Sequence, residues 1–161
     1  AYEITCRDWR SDVCSSDLRD DWIAALRAAG FDATKPTAWL AEGLLAYLPG
    51  AAQDALFENI TAHSAPGSFL ATEWRRRQAT AGQWQDAVNK LKPEFIKDIS
   101  IGSLIYDDER QDPIEWLREH GWQVDTANRL EQAAAYGRPA PSEHSDVTSL
   151  WSDAYFITAT R

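Results

Sequence analysis

The chain has 161 residues, of which 44% are hydrophobic and 11% aromatic, so it is long enough for one α/β domain or for part of a larger one. Sixteen Lys and Arg against 25 Asp and Glu give a net charge of −9, which argues against a nucleic-acid partner, because such a groove needs cations to replace phosphate counterions. No apolar run approaches the ~18 residues that cross a bilayer, so we expect no membrane partner. Without an apolar signal core near the start, we expect a cytoplasmic location.

The first eighteen residues differ from the rest of the chain. They contain both cysteines and show no sustained helical or strand period. Their sequence, AYEITCRDWRSDVCSSDL, resembles the conceptual translation of a short-read sequencing-library adapter, with Arg10 as the one departure. We therefore expect residues 1–18 to be a non-native segment and residues 19–161 to be part of one domain.

The pattern that follows alternates between helix and strand. A first helix is predicted from Trp22, because Asp20 or Asp21 can cap it and Gly30 can end it. Residues 37–41, Thr-Ala-Trp-Leu-Ala, are mostly apolar, as expected of a buried parallel strand.

Later segments continue the alternation. Pro49 is placed to open a second helix, and Asp112 followed by Pro113 predicts another capped helix. The other expected elements are strands at 68–74, 122–126 and 154–160, and helices at 84–91 and 130–136. Because little helix separates the last two strands, they are expected to form an antiparallel hairpin. The sequence thus predicts an α/β fold with a doubly wound sheet.

A carboxylate, Glu42, and a glycine, Gly43, follow the first predicted strand directly. The carboxyl ends of parallel strands border the ligand crevice, so Glu42 suits a cationic amine or sulfonium, although a polar residue ending a strand is an equally simple reading. Tyr47 can wall the same pocket or belong to the core. No metal-ligand spacing, hydrolytic serine motif or glycine-rich phosphate loop is present, so no metal and no catalytic residue are assigned.

Several blocks of sequence resemble one known family. They resemble the leucine carboxyl methyltransferase-related family of S-adenosylmethionine-dependent methyltransferases. The most specific block is residues 36–49, PTAWLAEGLLAYLP. Supporting blocks are Arg19-Asp20-Asp21-Trp22, Trp116-Leu117 with His120-Gly121-Trp122, Ala134-Ala135-Tyr136-Gly137 and Tyr155-Phe156-Ile157-Thr158. Together they span almost all of the sequence after Leu18.

The resemblance implies a partial class I (Rossmann-like) methyltransferase fold, in which residues 19–161 supply strands four to seven with flanking helices and a C-terminal antiparallel hairpin. It also implies S-adenosyl-L-methionine as the cofactor. Glu42, with Gly43 beside it, takes the position of the acid that faces the methionine moiety, and Tyr47 that of the aromatic next to it. Asp17 and Leu18 fall where the family places an Asp-Leu pair against the adenine, although the adapter ends in the same two residues.

The activity implied is in-line methyl transfer from the sulfonium to a nucleophilic oxygen, such as a carboxylate, of a small-molecule acceptor. The missing first strands, with their glycine loop and ribose-binding acid, predict weak cofactor binding and an inactive fragment. Two other readings stay open: a non-functional truncated reading frame, and an α/β binding domain without catalysis. An uncovered edge at residues 37–41 further predicts self-association.

Overall fold

The computed structural model describes residues 21–75, 82, 86, 104–106, 108–138 and 153–161. Of the expected helix at 84–91, only Asp86 is among these residues, and it is helical. In chain order the elements are α1 (Trp22–Ala28), β1 (Ala38–Ala41), a 3₁₀ helix (Leu45–Tyr47), α2 (Gly50–Ala62), β2 (Phe69–Arg75), α3 (Pro113–Glu119), β3 (Gln123–Asn128), α4 (Arg129–Ala135) and β4 (Ala154–Thr160). Within the described ranges, no helix has the length and apolar character required to span a membrane.

The four strands form one mixed sheet in the order β1-β2-β4-β3. Strands β1 and β2 are parallel, whereas β4 runs antiparallel to both β2 and β3. Strand β4, the last in the chain, therefore lies between β2 and β3 and runs in the opposite direction to both. The predicted partial class I α/β fold with its C-terminal antiparallel hairpin is confirmed.

Side-chain caps fix the starts of α1 and α3. The Asp21 carboxylate accepts a 2.9 Å hydrogen bond from the Ala24 N–H, and Asp112 accepts one of 2.8 Å from Ile114. Each bond satisfies a backbone donor that has no partner inside its helix. Pro49 differs from expectation by one position, since it precedes α2 as the capping residue and the helix begins at Gly50.

The core lies on one face of the sheet. Strand β2 alternates, so that Leu70, Thr72 and Trp74 are buried, and the register places Ala159 and Ile157 of β4 beside the first two. Helices α1, α2 and α3 pack on this face through a single cluster, to which they contribute Trp22, Ile23, Leu56, Phe57, Ile60, Ile114, Trp116 and Leu117.

The opposite face of the sheet is more open among the described residues. Leu40 of β1 is 74% exposed, and Phe69 and Phe156 are also exposed. The guanidinium of Arg129, the first residue of α4, lies 5.4 Å from the centre of the Phe156 ring on this side. The predicted doubly wound sheet would have helices on both faces. In the described part of the chain, α1, α2 and α3 all lie on the same face.

Candidate functional site

Strand β1 ends on the side of the sheet formed by the carboxyl ends of the parallel strands, and in such folds the ligand crevice lies on this side. Ala41 is buried, and its carbonyl accepts a 2.8 Å hydrogen bond from the Thr72 hydroxyl. The next residue, Glu42, is exposed. Gly43 has a φ of +63°, and a Cβ added there would meet nothing within 4 Å, so the space beside its backbone is open. The structure thus places a solvent-facing carboxylate and an accessible stretch of backbone at the carboxyl end of β1.

A second carboxylate holds this strand exit in place. Glu73 of β2 points away from the core, and one of its oxygens accepts a 3.1 Å hydrogen bond from the Gly43 N–H. Its other oxygen pairs with Arg129 at 3.0 Å. Glu73 was not predicted from the sequence. Its position at the carboxyl end of the second parallel strand was the available signal.

Further charges gather at the same end of the sheet. Burial lowers the pKa of the Arg75 guanidinium, and the neighbouring Arg129 lowers it further, whereas Asp153 and Glu73 raise it. An arginine still keeps its charge near neutral pH. Two cations and two carboxylates therefore lie together where β2, β3 and β4 meet the crevice, and their formal charges balance.

Tyr47 ends the short 3₁₀ helix that connects β1 to α2. The flanking leucines, Leu45 and Leu48, are buried, whereas Tyr47 is 40% exposed. The leucines fasten the turn to the core, and the aromatic ring remains at the surface. Of the two readings that the sequence left open, the structure places this ring outside the core.

Tyr106, Asp108 and Arg110 lie against the same turn and the start of α2, although they are far away in sequence. Arg110 donates to the carbonyls of Leu45 at 2.8 Å and of Leu48 at 3.0 Å. It also donates to the Tyr106 carbonyl at 3.0 Å and pairs with Asp108 at 2.6 Å. Arg110 was not predicted from the sequence either, because nothing in a linear pattern connects it with a turn about sixty residues earlier.

Three of the five predicted cofactor-binding residues lie on one short segment of the described chain. Glu42, Gly43 and Tyr47 share the single connection from β1 to α2. Asp17 and Leu18 lie outside the described residues, so their role stays a prediction. In the part of the chain that is described, no three His, Cys, Asp or Glu side chains are grouped so that they could hold a metal ion.

The sequence model of one protein family, leucine carboxyl methyltransferase, matches residues 2–61. This range contains α1, β1, the 3₁₀ helix and most of α2, and with them every predicted cofactor-binding residue. It also reaches into residues 1–18, so a foreign origin of that segment stays a prediction.

Several curated proteins are similar to the chain over most of its length. A Mycobacteroides abscessus protein named "Putative S-adenosyl-L-methionine-dependent methyltransferase" is 99% identical over 145 residues, which are 90% of this chain and 48% of the relative. Similarly named proteins of Rhodococcus jostii and Mycolicibacterium gilvum are each 50% identical, over 90% and 89% of this chain and 50% and 47% of their own length. The chain spans about half the length of the curated relatives it matches.

Proposed function

We propose that the chain belongs to the leucine carboxyl methyltransferase family and forms the C-terminal half of an S-adenosylmethionine-dependent methyltransferase domain. The observation that carries this proposal is the exposed Glu42 at the carboxyl end of β1, next to the open backbone of Gly43. Cofactors of α/β folds bind in the crevice at this end of the strands. The names of the relatives agree with such a cofactor.

The residues on the β1–α2 connection fit the chemistry of S-adenosylmethionine. The cofactor has a sulfonium and an amino group, both cationic, and the Glu42 carboxylate complements such charges. Gly43 leaves room for a ligand to approach the main chain. The exposed ring of Tyr47 offers an aromatic face, which attracts cations through its quadrupole. We propose that these three residues hold the methionine part of the cofactor and that Asp17 and Leu18 contact its adenine.

When bound, S-adenosylmethionine supplies an electrophilic methyl group on its sulfonium. The contribution of the chain itself is to bind and orient the donor and to exclude water from the crevice. We propose a small molecule with a carboxylate or another nucleophilic oxygen as the acceptor. A carboxylate is ionised near neutral pH, so it needs no base, and we assign no catalytic residue.

The test uses the full-length Mycobacteroides abscessus relative, with substitutions at the positions that correspond to this chain. Calorimetry with S-adenosylmethionine should detect binding to the unchanged protein. Glu42→Gln should raise Kd by up to about fivefold, the equivalent of one cation–carboxylate attraction at an exposed site. Glu58→Gln, an exposed carboxylate in the middle of α2, is the matched control and should leave Kd unchanged.

Three outcomes distinguish the proposed enzyme from a non-catalytic binding domain and from a failure of the proposal. Binding followed by methyl transfer to a member of a carboxylate panel supports the proposed enzyme. Binding without transfer to any acceptor favours a non-catalytic binding domain. A full-length relative that does not bind S-adenosylmethionine refutes the proposed function.

We also propose that this chain associates with itself through β1. Within the described residues, β1 pairs on one side with β2 and occupies the end of the sheet. Its residues are apolar, and Leu40 is largely exposed. An unprotected apolar edge is a template for pairing with another chain.

For residues 1–18 we propose an origin outside the methyltransferase gene. The support is their resemblance to a translated adapter and their lack of regular periodicity. Re-reading the source DNA across codons 1–18 tests this directly. Recovery of the same codons from an adapter-free library would refute it.

A further inference from the structure

Arg110 is a buried cation outside the residues assigned to the cofactor. Its side chain is 3% exposed, and its guanidinium reaches three backbone carbonyls and one carboxylate. Burying a charge is costly unless hydrogen bonds compensate it, and arginine achieves this with a planar fork of donors. Both terminal nitrogens of the guanidinium thus have acceptors, whereas its buried Nε has no hydrogen-bond partner among the described residues.

Two of these carbonyls mark the ends of one turn. Leu45 begins the 3₁₀ helix and Leu48 follows its last residue, Tyr47. Nη1 of Arg110 binds the first carbonyl and Nη2 binds the second. Because the two nitrogens belong to one rigid group, the distance between the ends of the turn is fixed, and so is the backbone that carries Tyr47.

Asp108 connects Arg110 with the start of α2. One of its oxygens pairs with Arg110 and the other accepts a 2.6 Å hydrogen bond from the Gly50 N–H, the first residue of the helix. The packing here is close, since a Cβ on Gly50 would lie 2.7 Å from the Glu109 carbonyl oxygen. The turn is thus held from both sides by residues 108–110.

We propose that Arg110 is a positioning residue for S-adenosylmethionine, acting through the Leu45–Tyr47 turn rather than by touching the ligand. This inference rests on the proposed function, in which Tyr47 lies beside the cofactor. A short turn with an exposed aromatic ring samples several arrangements unless something restrains it. Restraint before binding lowers the ordering cost of association, so loss of the fork weakens binding even though no ligand contact is removed.

The test compares Arg110→Lys with Arg118→Lys in the full-length Mycobacteroides abscessus relative. Lysine at 110 keeps the charge but is a compact donor that cannot span both carbonyls as the fork does. Arg118 is an exposed arginine on α3 and provides the matched control. Hydrogen exchange is followed at the amides of residues 45–50, and calorimetry gives Kd for S-adenosylmethionine.

Arg110→Lys should accelerate exchange at residues 45–50 and raise Kd about tenfold, whereas Arg118→Lys should change neither. In turnover measurements, KM for the cofactor should rise more than kcat falls, because the effect is on binding. A variant with lowered thermal stability but an unchanged Kd overturns the proposal, since Arg110 would then serve stability alone.

Two further outcomes remain decisive. If Arg110→Lys does not fold, Asp108→Asn replaces it as the milder change, and an unchanged Kd in that variant also overturns the proposal. If the unchanged protein does not bind S-adenosylmethionine, the proposed function fails and the positioning role fails with it. Faster exchange at residues 45–50 would in that case still identify Arg110 as the group that holds the turn.

Discussion

The backbone N–H of Gly43 donates a 3.1 Å hydrogen bond to the carboxylate of Glu73, which joins the exit of β1 to the neighbouring strand β2. The second oxygen of Glu73 pairs with Arg129, at the start of α4. The Glu73 side chain therefore connects the exit of β1 with the end of β2 and, across the intervening β4, with the start of α4, which follows β3. The direction in which the chain leaves β1, and with it the place of Glu42, depends on this connection.

Glu73→Ala should lower the free energy of unfolding by about 1 kcal/mol, because Gly43 loses its acceptor and Arg129 loses its ion pair. Both charged side chains are about one-third exposed, so solvent screening keeps the effect small. Glu73→Gln keeps an acceptor for Gly43 and should cost less. Urea unfolding measures both, with Glu58→Ala on α2 as control. Equal losses in all three variants would contradict a specific role of Glu73.

A pH dependence follows from Asp108. The hydrogen bond from the Gly50 N–H lowers the pKa of its carboxyl, and Arg110 lowers it further, although partial burial opposes both. A carboxyl with a depressed folded-state pKa contributes stability above its unfolded pKa of about 4, and this contribution is lost as the pH falls through the folded value. Acidification below pH ~4 should therefore loosen the contact between residues 108–110 and α2.

Unfolding measured from pH 6 down to pH 3 checks this expectation. Asp108→Asn should have a lower free energy of unfolding than the unchanged protein at pH 6, and the difference between the two (the gap) should become smaller toward pH 3. The control is Asp125→Asn, an exposed carboxyl on β3, and its gap should not vary in this way. A gap for Asp108→Asn that is constant over the whole range would be evidence against the assigned hydrogen bonds.

Cofactor affinity should differ strongly between this chain and its full-length relatives. Glu42, Gly43 and Tyr47 are present in this chain, whereas the glycine loop and the ribose-binding acid that the family resemblance implies are not in this sequence. Two hydrogen bonds to the ribose contribute about 1 kcal/mol or more each, equivalent to roughly 30-fold or more in affinity, and the contacts of the glycine loop are lost as well. Residues 19–161 should therefore bind S-adenosylmethionine at least ~100-fold more weakly than the full-length Mycobacteroides abscessus relative. Calorimetry on the two proteins compares them directly, and similar Kd values would refute the prediction.

The elements that could be predicted from the sequence are those determined by residues close to one another in the chain. The apolar run at residues 37–41 and the capping carboxylates Asp21 and Asp112 are each readable within a few residues, and the structure has β1, α1 and α3 there. The predicted burial of β1 was wrong: this strand has one sheet neighbour among the described residues, and only its last residue, Ala41, is buried. The 3₁₀ helix at Leu45–Tyr47 was not predicted, since a single turn is too short to show a period.

The supporting residues of the candidate site could not be read in the same way. Arg110 reaches the carbonyls of Leu45 and Leu48 only after the chain has passed through α2 and β2. Glu73 faces Gly43 because the register of two parallel strands places it there. Such partners are fixed by tertiary packing, whereas Glu42 was predictable because it directly follows a recognisable strand.

The last prediction concerns β1 as the end strand of the described sheet. Neither Lys nor Pro interrupts Ala38–Ala41, and these are the residues that commonly protect an edge. Leu40, at 74% exposure, adds an apolar side chain to the open face beside that edge. Pairing with a second copy would satisfy the backbone groups and bury this leucine, and a net charge of −9 spread over the surface opposes it only weakly.

The isolated chain should therefore form dimers or larger species, and Leu40→Lys should shift it toward monomer, because a lysine on an edge strand must be desolvated before another strand can pair there. Light scattering coupled to size-exclusion chromatography measures the distribution. Ala51→Lys, on the exposed side of α2, adds the same charge away from the edge and should leave the distribution unchanged. A monodisperse monomer that unfolds cooperatively without any substitution would show that the β1 edge is covered, and an equal shift by both lysines would show that net charge, rather than the edge, controls association.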